Sequence, residues 1–365
     1  MRIGIDARLT HYSVAGISTY IRHLIHELLA LEPAVDWRIL VSRRQANPGP
    51  QTVRLVTPCH HRLERWALGT ELLLRRLDLL HSPDFIPPAW GSRRMVITVH
   101  DLSFLFYPQF LTPEALRYYA DQIQWAIGRA DHILADSHQT RQDLISELGA
   151  PPDRVTTVHL AANARFGCLS GPFPALERYG LSPGYILFVG TLEPRKNVPG
   201  LLRAYRTLLD RGATSAPLVL AGRLGWLAEE TLHSIEIERL RNQVRILDDV
   251  LDLETLVQVY NGAKVLTLAS YYEGFGLPVL EAMACGVPVI ASDRGSLPEI
   301  VGQAGLLVNP DDPDSLADAL ERVMNDDELR ARLIARGLER AASFTWQETA
   351  RQTYQVYQQV LGQVH

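Results

Sequence analysis

Short β-branched runs alternate with amphipathic helical stretches along most of this chain, and that alternation constrains the fold more than any other feature. Residues 37–41, 95–99 and 132–135 read as strands, while 17–31 and 114–129 carry apolar side chains at helical spacing. Such alternation demands parallel sheet, because two parallel neighbours need a long crossover and a helix fills it. The pattern breaks at residues 166–184, which hold four glycines and three prolines, and restarts at a strand over 185–189. It continues with strands near 218–221, 244–247, 265–268 and 287–291, and helices near 198–211, 253–263, 278–285, 314–323 and 327–342.

A chain of 365 residues is long for one core and sufficient for two. The expected fold is therefore α/β, with two doubly wound Rossmann-like domains. The first spans 1–168, a linker 169–184 and the second domain 185–344. A final amphipathic helix over 345–365, bearing Trp346, Tyr354 and Tyr357, packs back on the first domain. Ligands of such folds sit at the carboxyl ends of the strands, so two facing domains predict one central cleft.

Composition narrows the function classes. With 47% hydrophobic and 21% charged residues and a net charge of −5, the chain matches a globular protein and gives nucleic acid no basic surface. Cys59, Cys168 and Cys285 form no CxxC pair, so neither disulfides nor a zinc site is expected. The amino terminus enters a strand without a signal-peptide pattern, and no apolar run reaches about 18 residues, which points to the cytoplasm. Before residue 170 there are 18 basic and 16 acidic side chains, and from there on 18 and 25, so the halves present different surfaces. Arginine outnumbers lysine thirty-four to two, which draws attention to Lys196 and Lys264.

The strongest chemical signal is Glu273-Gly-Phe-Gly-Leu-Pro-Val-Leu-Glu281, which follows a strand. Gly274 and Gly276 let the backbone approach a ligand, Pro278 suits the first helical position, and Gly286 suits the end. The amides of Phe275, Gly276 and Leu277, with the positive end of the helix dipole, make a place for a diphosphate. Glu281, one turn in, is placed to accept bonds from ribose hydroxyls, and Glu273 faces whatever lies beyond the phosphates. A capped surface helix with two solvated glutamates is the plain alternative, and the Gly-Phe-Gly-Leu-Pro between the acids argues against it. The single glycine Gly16, in the loop over 10–18, offers a second backbone approach to phosphate. Residues 60–80, with Arg62, Arg65, Arg75, Arg76 and Trp66, read either as a basic helix lying on the inner membrane face or as a packed helix with a solvated arginine face.

With those residues in view, the chain resembles glycosyltransferase family 4, retaining enzymes of the GT-B fold whose mark is a Glu-x7-Glu motif, matched here by Glu273 and Glu281. The resemblance spans essentially the whole chain and is strongest over 185–310. It implies that Glu273 contacts the transferred sugar and Glu281 the donor ribose. Gly190-Thr-Leu-Glu-Pro-Arg-Lys-Asn197 looks like the family's phosphate-gripping pair, which makes Arg195 and Lys196 the diphosphate cations. His100-Asp101 is similar to the family's His-Asp pair, so His100 is assigned to the transferred sugar or an acceptor hydroxyl, with Asp101 orienting it or shaping the turn. The pattern departs from the family at Asp248, where glycine is common, and at the loop of Gly16, where two glycines are.

Through Ile3-Gly-Ile-Asp-Ala-Arg8, Val99-His-Asp-Leu-Ser103 and Ala135-Asp-Ser137 the chain is most similar to the bacterial mannosyltransferase-like branch that builds surface polysaccharides. This implies a hexosyl transfer from GDP-mannose, or from a UDP-sugar, to a glycan or lipid-linked acceptor. The nucleotide sugar is a co-substrate, and neither a cofactor nor a metal is expected. Two other readings stay open. One is a GT-B nucleotide-sugar epimerase; the other is a two-domain sugar-binding protein without chemistry.

Overall fold

The computed structural model of the chain describes residues 1–11, 16–45, 49, 51–61, 63–249 and 252–362. It falls into two compact units, Met1–Leu160 together with Thr345–His365, and Ala161–Phe344.

Among the described residues, the first unit is built on β1 (Arg2–Asp6), β2 (Asp36–Ser42), β3 (Thr52–Leu55), β4 (Leu77–Ser82), β5 (Ser92–Val99), β6 (His132–Ala135) and β7 (Val155–Thr157). All pair in parallel, in the order β3-β2-β1-β4-β5-β6-β7. Its helices are α1 (Gly16–Leu31), α2 (Glu64–Leu72), the short α3 (Ser103–Phe106), α4 (Pro113–Arg129) and α5 (His138–Leu148). Ile3 and Ile5 of β1 and Leu79 and Leu80 of β4 are all fully buried, as central strands covered on both faces require. Local chemistry sets the helix ends. Thr112 caps α4 ahead of Pro113, Ser137 caps α5, and Gly149 closes α5 at φ 66°.

The expected helix over 60–80 is shorter. Arg62 lies outside the described residues, α2 ends at Leu72, and Arg76 turns left-handed at φ 52°. Residues from Leu77 onward form β4, because Leu77, Leu79 and Leu80 fill the sheet interior. Leu68 and Leu72 anchor α2, while Leu63, Trp66, Leu73 and Leu74 are exposed.

The second unit contains α6 (Pro174–Glu177), β8 (Tyr185–Val189), α7 (Val198–Asp210), β9 (Leu218–Ala221), α8 (Glu229–Ile237), β10 (Val244–Leu247), α9 (Leu253–Gly262), β11 (Ala263–Leu268), α10 (Leu277–Ala284), β12 (Val289–Ser292), α11 (Leu297–Val301), β13 (Gly305–Val308), α12 (Pro313–Asn325) and α13 (Asp327–Ala342). Its strands are again parallel, in the order β10-β9-β8-β11-β12-β13. The strand expected from residue 287 starts at Val289, because Gly286 ends α10 at φ 70° and Pro288 has no N–H to give the ladder. The sequence pattern did not disclose α8 and β13.

The boundary between units differs from the expected one. Residues 161–184 belong to the second unit rather than to a first domain ending at 168 and a linker over 169–184. Phe166 packs edge-on against Tyr260 at 5.4 Å, Leu169 N donates to Asn261 Oδ1 at 2.7 Å, and Leu176 is buried. Apolar anchors hold this glycine-rich stretch along α9 as a strap.

The last helix, α14 (Trp346–Val360), is capped by Thr345 and groups with the first unit. Trp346 stacks on the His23 ring at 4.8 Å, and Tyr357 Oη lies 2.6 Å from His81 Nδ1. Burial holds the His81 pKa down at about 3, so that buried ring is neutral.

Candidate active site

In the second unit the chain winds outward through β9 and β10, then crosses back to place β11 on the free side of β8. Loops leaving two strands at such a reversal part and open a crevice between them. The β8 loop carries Arg195 and Lys196, and the β11 loop carries Glu273, so topology alone brings them together.

Glu273 is buried and ionised. Its Oε1 accepts from Lys196 Nζ at 2.6 Å and from Ser270 Oγ at 2.6 Å, and its Oε2 from Arg195 Nη1 at 3.0 Å. Burial pushes the pKa of this carboxyl up, but Lys196 and then Arg195 outweigh it and hold it at about 2. Arg195 is committed to the scaffold, donating also to Tyr272 O at 2.5 Å and to Glu193 Oε1 at 2.7 Å. Lys196 Nζ carries three hydrogens on a flexible stem and can meet a phosphate oxygen while keeping Glu273. Asn197 locks the pair in place. It adopts φ 52°, accepts from Gly200 N, and donates to Pro310 O at 2.8 Å.

The turn holding Gly274, Phe275 and Gly276 is fastened from behind. Ser296 Oγ donates to Glu273 O at 2.9 Å and Phe275 O at 2.8 Å. Gly295, at φ 59°, lets that support come close, since a Cβ there would lie 2.8 Å from Glu273 O. Gly276 caps α10 at φ 103°, so Leu277 rather than Pro278 takes the first helical position. Glu281, half-buried one turn in, accepts from Tyr260 Oη at 2.7 Å. Burial raises its pKa to about 7, with the Tyr260 bond pulling the other way. Ser270, Ser296, Glu193 and Tyr260 were absent from the sequence-derived site. Serines and a tyrosine carry no local signal until the fold brings them in.

In the first unit, His100 follows β5. Its Nδ1 donates to Asp136 Oδ2 at 2.6 Å and its Nε2 donates to Pro83 O at 2.8 Å. Burial alone would lower the pKa of this ring, but Asp136 lifts it to about 9, so His100 stands as an imidazolium. The residue orienting it is Asp136 and not Asp101. Asp101 shapes the turn, accepting from Ser103 N at 3.0 Å and Ser103 Oγ at 2.8 Å. The acid straight after β6 was legible in Ala135-Asp-Ser137, but its partner was not. Gly16 is the exposed first residue of α1, and residues 12–15 before it lie outside the described residues. Asp248 is exposed at the end of β10, an edge strand.

The His100 pair predicts a pH response. A raised histidine pKa contributes stability fully present below about 6.5 and lost as pH rises through about 9. In Asp136→Asn the ring should titrate well below about 9, because burial then meets only the weaker raising effects of Asp84 and the Pro83 carbonyl. Nuclear magnetic resonance titration of the His100 ring protons checks this, and a midpoint still near 9 would contradict it.

Comparison with known proteins is consistent along the chain. The family model described as Glycosyltransferase Family 4 matches residues 14–165, and that described as Glycosyl transferases group 1 matches residues 179–340. O-antigen chain mannosyltransferase B of Escherichia coli is 36% identical over 305 residues, covering 82% of this chain and 77% of that protein. Sucrose-phosphate synthase from Thermosynechococcus elongatus superposes over 100% of both chains with a TM-score of 0.81 at 22% identity. WaaG, a glycosyltransferase involved in lipopolysaccharide biosynthesis, covers 98% of this chain and 99% of its own at a TM-score of 0.78 and 13% identity. These likenesses identify the fold as GT-B. Among the described residues, no helix is long and apolar enough to cross a membrane.

Proposed function

Because the chain belongs to glycosyltransferase family 4 and is a glycosyltransferase, we propose that it moves a mannosyl group from GDP-mannose to a glycan or lipid-linked acceptor in surface-polysaccharide synthesis, with retention of configuration and without a bound metal. The observation that carries this reading is the Lys196–Glu273 pair at the mouth of α10. A leaving diphosphate needs positive charge, and Lys196 with the α10 amino-terminal end supplies it without an ion. Glu281 offers a carboxyl to the ribose hydroxyls, whose bonds would offset the cost of its burial.

Glu273 is a poor nucleophile. Both of its oxygens already accept bonds from cations or Ser270, and its depressed pKa marks a weak base. It therefore positions Lys196 and the sugar, which favours a reaction on one face of the donor over a covalent glycosyl-enzyme. The likeness to a mannosyltransferase supports a mannosyl donor. A nucleotide-sugar donor fits the cytoplasm, and the exposed Leu63, Trp66, Leu73 and Leu74 beside Arg75 and Arg76 support contact with the inner face of a membrane.

The test is direct. GDP should raise the melting temperature more than UDP or ADP, since a ligand of the native state stabilises it in proportion to its binding. Turnover of GDP-mannose should yield an α-linked product by the anomeric coupling constant. A larger shift with UDP, or an inverted product, overturns the donor or the stereochemical assignment respectively.

A further inference from the structure

The two acids of the α10 turn are satisfied very differently. Glu273 spends its oxygens inward on three donors, Lys196, Ser270 and Arg195. Glu281 accepts a single hydrogen bond, at Oε2 from Tyr260 Oη, and forms no ion pair among the described residues. A carboxylate has about four lone-pair positions, and Oε1 of this half-buried residue has no partner among the described residues. An acid left so poorly paired is costly unless a ligand brings donors to it. Burial accordingly pushes its pKa up to about 7, with the Tyr260 bond pulling the other way.

Tyr260 is fully buried, and the end of α9 that carries it is pinned from several sides. Its ring stands edge-on to Phe166, with centroids 5.4 Å apart and planes at 88°. Its neighbour Asn261 donates to Gly167 O at 3.0 Å and accepts from Leu169 N at 2.7 Å, which ties the helix to the strap. Tyr185 Oη donates to Val259 O at 2.5 Å, and a Cβ on Gly262 would lie 2.7 Å from that same phenol oxygen. The Tyr260 phenol has one hydrogen, and it goes to Glu281. A rigid donor therefore holds the carboxylate at one oxygen only.

We propose that Tyr260 is a positioning residue for ribose recognition: it occupies Oε2 of Glu281 and sets the carboxylate so that its remaining lone pairs meet both ribose hydroxyls of the donor. This rests on the transferase reading above and deepens it, making the site selective for ribonucleotides over deoxyribonucleotides. A cation in the place of the tyrosine would claim more of the carboxylate, as Arg195 and Lys196 do with Glu273, whereas a phenol takes one lone pair and leaves the others. A site built to bond a hydroxyl rejects the analogue that lacks it, because its own polar group is then left unpaired. The titratable groups facing Glu281 are the Tyr260 phenol on α9 and the Cys285 thiol on its own helix, both kept neutral by burial. Preference for the ribose should therefore rise as pH passes through about 7 and the acid ionises. Without the phenol that holds this pKa down, the rise should move to higher pH.

Calorimetry on the full chain with GDP and 2′,3′-dideoxy-GDP, which lacks both hydroxyls, tests this; the corresponding UDP pair serves as well, because the ribose is common to both. The unaltered chain should hold the ribonucleotide about 10- to 100-fold more tightly, the range for hydrogen bonds to a charged group. Tyr260→Phe, which keeps the ring against Phe166, should cut that ratio about fivefold by weakening the ribonucleotide alone. It should also move the pH dependence of the ratio upward, and phosphate ionisation cancels because both nucleotides carry the same diphosphate. Glu281→Ala should bring the ratio near one. Equal weakening of both nucleotides by Tyr260→Phe, or a ratio it leaves unmoved, overturns the assignment and makes the tyrosine a packing residue. Failure of every nucleoside diphosphate to bind the unaltered chain would overturn the transferase reading and this inference with it, so the two failures are told apart.

Discussion

Lys196→Ala should lower kcat/KM by about 10²- to 10³-fold, the usual loss when one preorganised donor to a developing anion is removed. In the structure Lys196 is a partly buried ammonium held 2.6 Å from Glu273 and set against a loop of restricted geometry. Its Cε would lie only 3.7 Å from a Cβ on Gly190, which has φ 149°, so the stem runs over a position that has no side chain. That passage suits an unbranched chain ending in a compact charge. Lys196→Arg should therefore recover less than a tenth of the lost activity, because the planar guanidinium needs more width and would compete with Arg195 for Glu273. Nucleotide release measured at several donor concentrations checks both. A loss below tenfold for alanine, or full rescue by arginine, would remove Lys196 from the diphosphate site.

Glu273→Gln separates charge from shape. In the native protein Glu193 and Glu273 balance Arg195 and Lys196, and the four form one cluster in which the acids are buried and the cations partly so. The glutamine removes one negative charge and leaves the cluster with an excess positive one, so the diphosphate product should bind several-fold more tightly. Turnover should nevertheless fall by about 10²-fold or more, because Lys196 and the sugar lose the carboxylate that positions them. Calorimetry of GDP binding beside steady-state kinetics would show the two effects moving in opposite directions. Weaker nucleotide binding together with weaker turnover would mean that Glu273 acts only as a structural brace. The acid response follows from the same pair. A carboxyl with its pKa held at about 2 contributes stability present above about 4.5 and lost as pH falls toward 2, and the glutamine variant should lack that slope.

Much of the fold was legible because parallel α/β sheets advertise themselves twice, in buried β-branched runs and in amphipathic helices between them. His132–Ala135, Tyr185–Val189, Leu218–Ala221 and Val244–Leu247 stand where the pattern placed them. The errors share a cause. Residues 77–80 were read as helix because leucine suits a buried strand as well as a helix, and only pairing with β1 and β5 decided between them. Residues 169–184 of the strap were read as linker because glycine and proline mark irregular chain equally well whether it is solvated or packed.

The site divides the same way. The sequence by itself determined the elements that act locally: the glycine turn before α10, the two acids eight residues apart, the Arg-Lys pair ahead of α7, and the histidine at the end of β5. The first two rest on backbone geometry and spacing within one loop, and the roles of the Arg-Lys pair and the histidine on the resemblance to the family. Only the tertiary structure decided who meets whom. It set Lys196 on Glu273 across 77 residues, gave His100 to Asp136 rather than to Asp101, and gathered Arg8, Glu64, His60 and Asp84 at the first sheet's reversal. The physical reason is that strand order is not chain order. Neighbouring strand ends become one site by hydrogen-bonding partners that no local pattern names.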